Sequence, residues 1–444
     1  MSGQQGREVV IVEAVRTPIG RGHQEKGYYK DVHPNDLLGR CYTEVLDRAG
    51  VDASEVEDVI AGCVAQFGEQ GLNVARNAWL QEGLPIEAAA TTVDRQCGSA
   101  QQAVNFGAAL IASGIHDVVI GSGVEHMGHI SFGATMETQK TYGTAFTERL
   151  LAKHNIVGQG LGAEMIADQW EIPRSELDEL ALRSHRLAAK ATEEGRFERE
   201  IVPFAVNGDT YVADQGIRPD TTLEALAGLK PAFKPDGKIT AGNSSQISDG
   251  AAAVLLMSRE KADALGLRAR AKIVDQTTVG VDPVTMLTGP IPATQKILDR
   301  NGMTIGDVDT VEINEAFAPV VAAWLREHRP DFDRVNPRGG AMALGHPLGS
   351  TGARLITTLL HELAAPGRQH RGEGLVDLEQ IDVAYLHAVA LEQLARGRDR
   401  AGEHDHRVHA DGRLVDDPGA RLEAQRLRLG AVHQQHRGGA VGDL

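Results

Sequence analysis

The stretch that most constrains the fold is Thr91–Gly114, TTVDRQCGSAQQAVNFGAALIASG. Its first residues, Thr91–Val93, are β-branched or apolar, which is typical of a buried strand. A turn of small residues follows, and Ala100–Ile111 then repeats apolar residues at helical spacing. The pattern predicts that Cys97 lies where a strand ends and a helix begins.

A cysteine at the start of a helix is well placed for nucleophilic chemistry. The unpaired N–H groups and the dipole of a helix N-terminus favour an anion. The Cys97 thiol would therefore ionise more readily, and the thiolate is the reactive form. The alternative is a buried, inert side chain, which is the commoner role of a lone cysteine. Spacing alone leaves both interpretations open.

The composition is that of a globular chain and disfavours several kinds of partner. With 444 residues and 42% hydrophobic content, two or three domains are expected. The net charge of −16 disfavours nucleic acid or an anionic membrane, although an anionic small ligand needs only a local basic patch. The start, MSGQQGREVV, has no secretory pattern, and no apolar run approaches the ~18 residues of a membrane span. Three cysteines argue against a disulfide framework and predict a reducing, cytoplasmic location.

Strands and helices alternate along the chain, which predicts a layered α/β fold. The second half echoes the first: Val308–Ile313 repeats an early strand pattern, and Arg338–Leu360 repeats the turn and helix of Arg95–Ile111. Such self-similarity suggests two related halves with the site between them. The predicted domains are an N-terminal half (residues 1–121 and 250–268), a covering domain (122–249), a C-terminal half (269–365) and a tail (366–444).

Three further motifs are candidates for the site. NEAFA at Asn314–Ala318 follows a predicted strand, residues 339–354 form a glycine-dense loop that leads into a helix, and residues 241–250 form a polar turn. The glycine-dense loop lacks the lysine and spacing of a P-loop, and its His346 is a candidate general base. Each motif alone can be a turn that needs positive φ, but their joint presence with Cys97 favours a site.

Residues 9–363 resemble the thiolases, which are acyl-CoA acetyltransferases. The matching motifs, in order, are VDRQCGSAQQ, the GLKPAFKPDG to AGNSSQISDGAA segment, LTGPIPATQK, NEAFAP and GGAMALGHPLGSTGAR. The resemblance implies a five-layered α/β/α/β/α fold of two similar halves, with a loop domain over the site. It also implies a homodimer or homotetramer that acts on acyl-CoA and coenzyme A, with coenzyme A as a substrate and no metal or other cofactor.

The resemblance also assigns roles to individual residues. Cys97 resembles the nucleophile that takes the acyl group from coenzyme A, and His346 resembles the base that activates it. Asn314 resembles the residue that supports the first oxyanion site through a water, alongside His346. A thioester suits a soft nucleophile, and an enolate oxygen needs donors aimed at it. Glu315 is expected to support its loop. The positions that match pantetheine contacts are Ser245, Phe233, Ala241, Ala316 and Phe317.

The chain departs from the family towards its C-terminus. Thiolases carry a second cysteine in a Cys-x-Gly motif that handles the α-proton of acetyl-CoA, whereas no cysteine follows Cys97 here. Apart from Ile381 and Tyr385, residues 359–444 use only amino acids whose codons can begin with G or C. This composition predicts out-of-frame translation of a GC-rich gene, beginning between Leu359 and Arg368, through a natural frameshift or a sequencing error.

Two other interpretations of the tail are an appended natural segment and a metal-binding segment. The metal interpretation uses His404, His406 and His409, which lack cysteine partners. Such a tail is expected to pack poorly, apart from a helix near Val383–Arg396. The C-terminal half is then expected to lose its last core strands and to expose a sheet edge.

The sequence therefore supports three functions. The first is a thiolase that cleaves 3-ketoacyl-CoA or condenses two acetyl-CoA through acyl-Cys97, with turnover impaired by the missing cysteine. The second is an inactive, coenzyme-A-binding relative or a frameshifted pseudogene product. The third is a ketosynthase that acts on carrier-protein thioesters, against which NEAFA and the single GHPLG histidine argue. Fatty-acid, steroid side-chain and acetoacetyl substrates all fit the sequence.

Overall fold

The computed structural model describes residues 6–364 and the backbone of residues 382–385. The helices are α1 (Pro34–Ala49), α2 (Val74–Gln81), α3 (Ser99–Ala112), α4 (Ala134–Tyr142), α5 (Glu148–Leu151), α6 (Gln159–Gln169), α7 (Arg174–Glu193), α8 (Leu223–Ala227), α9 (Arg259–Ala264), α10 (Pro290–Asn301), α11 (Ala318–His328), α12 (Ala341–Leu344) and α13 (Thr351–Leu363). The strands are β1 (Val9–Arg16), β2 (Gly20–Arg21), β3 (Asp58–Gly62), β4 (Ala89–Val93), β5 (Val118–His126), β6 (Phe204–Val206), β7 (Asp209–Tyr211), β8 (Ser248–Ser258), β9 (Ala271–Gln276) and β10 (Asp382–Tyr385).

A mixed sheet dominates the described part of the chain. Its strand order is β10-β9-β1-β8-β5-β3-β4, and β2 pairs with β8. β3 runs parallel to β4 and β5, whereas β8 runs antiparallel to β1 and β5. Every residue of β8 is buried, so this strand needs apolar or small side chains on both faces. Since β5 and β8 are neighbours, the residues between them form an insertion into the sheet.

Helices cover both faces of this sheet. α1 and α2 pack on one face with the side chains of Leu37, Val45 and Trp79. α3 and α13 pack on the other face, through residues such as Val104 and Ile356. The segment at 311–313 lies beyond α3 and α13, and α11 packs on it. The layers confirm the predicted α/β class, whereas the division into four domains stays a prediction.

α1 illustrates why local sequence predicts these helices well. The His33 side chain accepts a hydrogen bond from the Asn35 N–H, and Pro34 occupies the first helical position. The helix ends at Gly50, whose φ of 66° is left-handed and suits glycine. The apolar residues of this segment recur on one face at helical spacing, which predicts a helix over Pro34–Ala49, and the structure confirms these bounds.

The strand before Cys97 is correctly predicted, but its burial is not. Thr91–Val93 lies in β4, and Ala89 and Thr91 are exposed. β4 ends the strand order and pairs with β3 on one side. The prediction of a buried strand is wrong because an edge strand can carry the same β-branched pattern as a central one.

The strand predicted at Val308–Ile313 is reduced to an isolated bridge between Val311 and Val335 in the described residues. Beside it, the side chains of Glu312 and Arg354 lie 3.6 Å apart and are each 2% exposed. Neither side chain forms a hydrogen bond with a described residue. Burial raises the pKa of Glu312 to about 8. Burying the Arg354 charge without a hydrogen bond is costly. The loss of the last core strands of the C-terminal half stays a prediction.

The helix predicted near Val383–Arg396 is wrong at its start. Asp382–Tyr385 forms β10, which runs parallel to β9. The sequence of this short segment is compatible with either a strand or a helix. Pairing with β9 makes it a strand. The rest of that predicted helix and the three histidines from His404 to His409 lie outside the described residues, as does almost all of the predicted tail.

α3 and α13 approach closely at their N-terminal ends. A Cβ at Gly352 would overlap the backbone nitrogen of Gln101. The carbonyl oxygen of Gly349 occupies the space that a Cβ at Gly62 or Gly123 would need. These glycines let the loops that carry Cys97 and His346 meet over the sheet.

We expect Gly352→Ala to destabilise the chain by about 1–3 kcal/mol, because the added methyl forces α3 and α13 apart. Gly228→Ala is the matched control: Gly228 is exposed, its φ of −71° suits alanine, and its nearest neighbours lie at ordinary contact distance. Urea unfolding followed by tryptophan fluorescence measures both changes. Equal stability of the two variants would contradict the packing argument.

Candidate active site

Cys97 lies in a tight turn that links β4 to α3. Gln96 adopts a left-handed φ of 49°. The Ser99 hydroxyl closes the turn: it donates to the Gln96 carbonyl at 2.6 Å and accepts from the Arg95 N–H at 2.9 Å. Gly98 caps α3, so Cys97 stands two residues before the helix and is half-buried. The predicted position between a strand and a helix is confirmed.

His346 lies in the loop between α12 and α13 and is buried. Its backbone N–H donates to the Ser248 hydroxyl at 3.1 Å. Its Nδ1 lies 2.6 Å from Thr351 Oγ1, and its Nε2 lies 3.2 Å from Asn314 Nδ2. Burial, followed by the charge of Arg354, lowers the pKa of His346 to about 3. The imidazole is therefore neutral at physiological pH.

Asn314 connects His346 to the cavity that Cys97 lines. Its Nδ2 meets the His346 ring, and its buried Oδ1 has no partner among the described residues. The cavity measures about 90 Å³, enough for several waters or a small acyl group, and Cys97, Asn314 and Thr351 share its wall. His346 lies behind Asn314 and Thr351 and does not line it. The structure thus brings together the three residues that the sequence singled out.

Most of the cavity wall is apolar. The apolar residues of the lining are Leu287, Pro290, Val311, Ile313, Ala316, Val320, Trp324 and Leu355. The polar side chains of Gln101, Thr294 and Glu312 are exceptions on this wall. An apolar enclosure strengthens the electrostatic interactions of the few polar groups within it.

Four of the five predicted pantetheine-contact positions lie together. The Ser245 N–H donates to the Ala316 carbonyl at 2.9 Å, and the ring of Phe317 meets that of Phe233 edge-on at 5.8 Å. Ala241 is exposed in the turn before Ser245. These residues border the cavity through Ala316.

Glu315 follows Asn314 but binds elsewhere. Its carboxylate accepts from the Ser184 hydroxyl at 2.6 Å, from Asn336 Nδ2 at 3.0 Å and from the Met342 N–H at 3.1 Å. Burial raises the pKa of Glu315. These bonds tie the Asn314 loop to the start of α12, which agrees with the predicted supporting role.

Sequence reasoning missed Glu125. This buried carboxylate accepts from the N–H groups of Gly349 at 2.8 Å, Val64 at 3.0 Å and Ala65 at 3.1 Å, and from Gln70 Nε2 at 3.0 Å. It therefore holds the loop that follows His346 against the loop that follows β3. The available signal was a carboxylate inside the otherwise uncharged strand VVIGSGVEH.

The described residues contain neither a candidate metal-binding cluster nor a membrane-spanning helix. No group of three or more His, Cys, Asp or Glu side chains in residues 6–364 is arranged to hold a metal ion. Among the described helices, none is both long and apolar enough to cross a membrane.

We expect acid to destabilise the fold through its buried neutral histidines. Burial lowers the pKa of His346 to about 3 and that of His185 to about 4, below the usual value of 6.5. The unfolded state therefore binds more protons below pH 6.5. The stability that these neutral rings contribute is fully present above pH 6.5 and is lost as pH falls towards the folded-state pKa.

His346→Gln should flatten the pH dependence of unfolding between pH 6.5 and 4 by up to about 1.4 kcal/mol per pH unit. His185→Gln removes a buried histidine outside the site and should flatten the pH dependence similarly. A similar change in both variants would show that the effect comes from burial and does not require a position in the site. Urea unfolding at a series of pH values gives both slopes. An unchanged slope in His346→Gln would show that the ring is charged in the folded state.

Comparisons with known proteins identify the family to which the chain belongs. The chain matches the family Thiolase, N-terminal domain, over residues 9–260 and the family Thiolase, C-terminal domain, over residues 267–376. It is 45% identical over 369 residues to the steroid 3-ketoacyl-CoA thiolase FadA6 of Mycobacterium tuberculosis, covering 82% of this chain and 89% of that protein. It is also 45% identical to a 3-ketoacyl-CoA thiolase of Saccharophagus degradans, covering 80% and 92%.

Among solved structures, the acetyl-CoA acetyltransferase of Bacillus anthracis superimposes with a TM-score of 0.73 at 39% identity. The match covers 82% of this chain and 93% of that one. Both family domains and the fold thus agree with the motifs around Cys97, Asn314 and His346. The chain belongs to the thiolase family of acyltransferases.

Proposed function

We propose that this acyltransferase forms an acyl-Cys97 intermediate, either in the cleavage of 3-ketoacyl-CoA by coenzyme A or in the condensation of two acetyl-CoA. The observation that carries the proposal is that Cys97 and Asn314 line one apolar cavity and that Asn314 contacts the neutral His346 behind it. The similarity to 3-ketoacyl-CoA thiolases at 45% identity supports the substrate class.

Acyl transfer to Cys97 needs one proton transfer in each direction. The thiol proton moves to Nε2 of His346 as the sulfur attacks the thioester carbon. The bond from that carbon to the coenzyme A sulfur breaks, and the leaving thiolate takes the proton back from His346. Coenzyme A leaves as a thiol, and its former acyl group is held as a thioester on Cys97.

The oxyanion formed during attack needs hydrogen-bond donors. The protonated Nε2 of His346 is one donor, and a water held by the unpartnered Oδ1 of Asn314 can supply another. Because Asn314 already contacts the His346 ring, both donors belong to one preorganised group. The scheme requires no metal, and coenzyme A takes part as a substrate.

Carbon–carbon bond formation or cleavage requires a further proton transfer at the α-carbon of acetyl-CoA. By resemblance, a second cysteine performs this step, and no cysteine follows Cys97 in the sequence. Transfer of the acetyl group from acetyl-CoA to Cys97 should therefore proceed, while condensation and thiolysis are severely impaired. This sequence observation favours a second candidate function, an inactive relative that binds coenzyme A without turnover.

Acetyl-CoA should acetylate Cys97 in the wild-type chain, which mass spectrometry of the peptide containing Cys97 will detect. Cys97→Ala should abolish the adduct. Cys41→Ala is the matched control, because Cys41 is fully buried in α1 away from the cavity. An absent adduct in the wild type, or an equal adduct in Cys97→Ala, would refute the proposed nucleophile and leave the binding function.

Thiolysis of acetoacetyl-CoA completes this test. We expect a rate at least about 100-fold below that of acetyl transfer to Cys97, since a positioned acid or base typically contributes 10²-fold or more. Thiolysis as fast as acylation would show that another group moves the α-proton.

We also propose that the chain forms a homodimer through the edge of β4. β4 pairs with β3 on one side, and its residues Ala89 and Thr91 are exposed. The adjoining Leu72 and Ile86 are 95% and 71% exposed. Edge strands that carry apolar neighbours favour pairing with another chain. A reducing cytoplasm is proposed as the compartment, because Cys41 and Cys63 are buried thiols that form no disulfide in the described residues.

Light scattering after size exclusion should show a dimer or a dimer of dimers for the wild type. Leu72→Glu with Ile86→Glu should dissociate it to monomers, since the new charges would be buried in the interface. Ile115→Glu, at an exposed position after α3, should leave the assembly unchanged. A wild-type monomer, or dissociation by the control alone, would rule out this interface.

A further inference from the structure

The Thr351 hydroxyl contacts one ring nitrogen of His346, and its hydrogen is committed elsewhere. Oγ1 lies 2.6 Å from Nδ1 of His346 and donates to the Pro347 carbonyl at 2.8 Å. A hydroxyl has one hydrogen and two lone pairs. The oxygen therefore presents a lone pair to Nδ1, and the hydrogen of that contact belongs to the ring.

The opposite ring nitrogen gives the same assignment independently. Asn314 Nδ2 lies 3.2 Å from Nε2 of His346. An amide nitrogen donates hydrogens and accepts none, so Nε2 meets it with a lone pair. Both contacts require a neutral ring with its hydrogen on Nδ1.

We propose that Thr351 is a positioning residue that holds His346 in the Nδ1–H tautomer, so that Nε2 keeps a lone pair. This lone pair accepts from Asn314 in the resting structure and must be released from that bond to take the Cys97 proton. The role of Nε2 rests on the proposed function, whereas the tautomer rests on the two contacts alone. In the other tautomer, Nε2 would carry a hydrogen and could not accept the proton from the Cys97 thiol.

The chemistry of the Thr351 contact also explains why a hydroxyl suits this position. A carboxylate next to Nδ1 would stabilise an imidazolium, whereas a hydroxyl orients the ring without adding charge. Burial and the nearby charge of Arg354 already lower the pKa of His346. The proton is therefore expected to reach Nε2 only as the Cys97 sulfur attacks.

The helix offers a matched control for this inference. Thr357, also buried in α13, donates its hydroxyl to the Ala353 carbonyl at 2.8 Å, as Thr351 does to Pro347. Valine at either position keeps the side-chain shape and removes one such bond. Only Thr351→Val also removes the lone pair that faces Nδ1 of His346.

The test compares Thr351→Val, Thr351→Ser and Thr357→Val for acetylation of Cys97 by acetyl-CoA. We expect Thr351→Val to slow acetylation about 10- to 100-fold with unchanged affinity for coenzyme A, because the wrong tautomer removes the base. Thr351→Ser should recover the rate to within about threefold, and Thr357→Val should match the wild type. Equal rates for the two valine variants would overturn the inference.

A second readout needs no acyl transfer. In chains labelled with ¹⁵N-histidine, the His346 signals are those lost in His346→Gln, and their shifts report which ring nitrogen carries the hydrogen. We expect Nδ1–H in the wild type and a mixture of tautomers in Thr351→Val. Nε2–H in the wild type would overturn the inference even if Cys97 is acetylated. Absent acetylation with Nδ1–H present would instead refute the proposed function alone.

Discussion

The site depends on the close approach of two helix N-termini. Gly352 lets α13 pack against the backbone of Gln101 in α3, and the carbonyl of Gly349 fits against Gly62 at the end of β3 and Gly123 within β5. Side chains at these positions would separate the helices, and with them the nucleophile loop and the histidine loop. Because both loops start from rigid elements, the geometry does not rely on flexible segments for its precision.

Two buried carboxylates hold the loop that carries His346 in place between these helices. Glu125 binds the N–H of Gly349, and Glu315 binds that of Met342, so each carboxylate holds one side of the loop that carries His346. Neither contacts the cavity. Burying a carboxylate is costly unless several donors satisfy it, and both accept at least three hydrogen bonds. The positions of Asn314 and His346 thus follow from polar networks as much as from apolar packing.

The local sequence predicted most helices and strands and the reactive residues. Predictions failed where the structure of a segment depends on which distant strand pairs with it. The turn at Cys97 and the bounds of α1 followed from spacing and capping, whereas the pairing of Asn314 with His346 followed from the resemblance to the thiolases. The exposure of β4 and the reduction of Val308–Ile313 to a bridge did not, because both depend on which strand lies alongside. Glu125 and Thr351 were missed because their partners are backbone groups and a ring that only the folded chain brings near them.

Because β8 returns the chain to the middle of the sheet, it affects the order in which the strands pair during synthesis. β8 ends at Ser258, well before His346, and it joins β1 to β5. During synthesis, the strands around Cys97 can therefore pair while the C-terminal half is still emerging from the ribosome. A shift of reading frame between Leu359 and Arg368 would alter only residues made later. The pairing of β1, β8, β5, β3 and β4 would then precede any damage at the 3′ end of the gene.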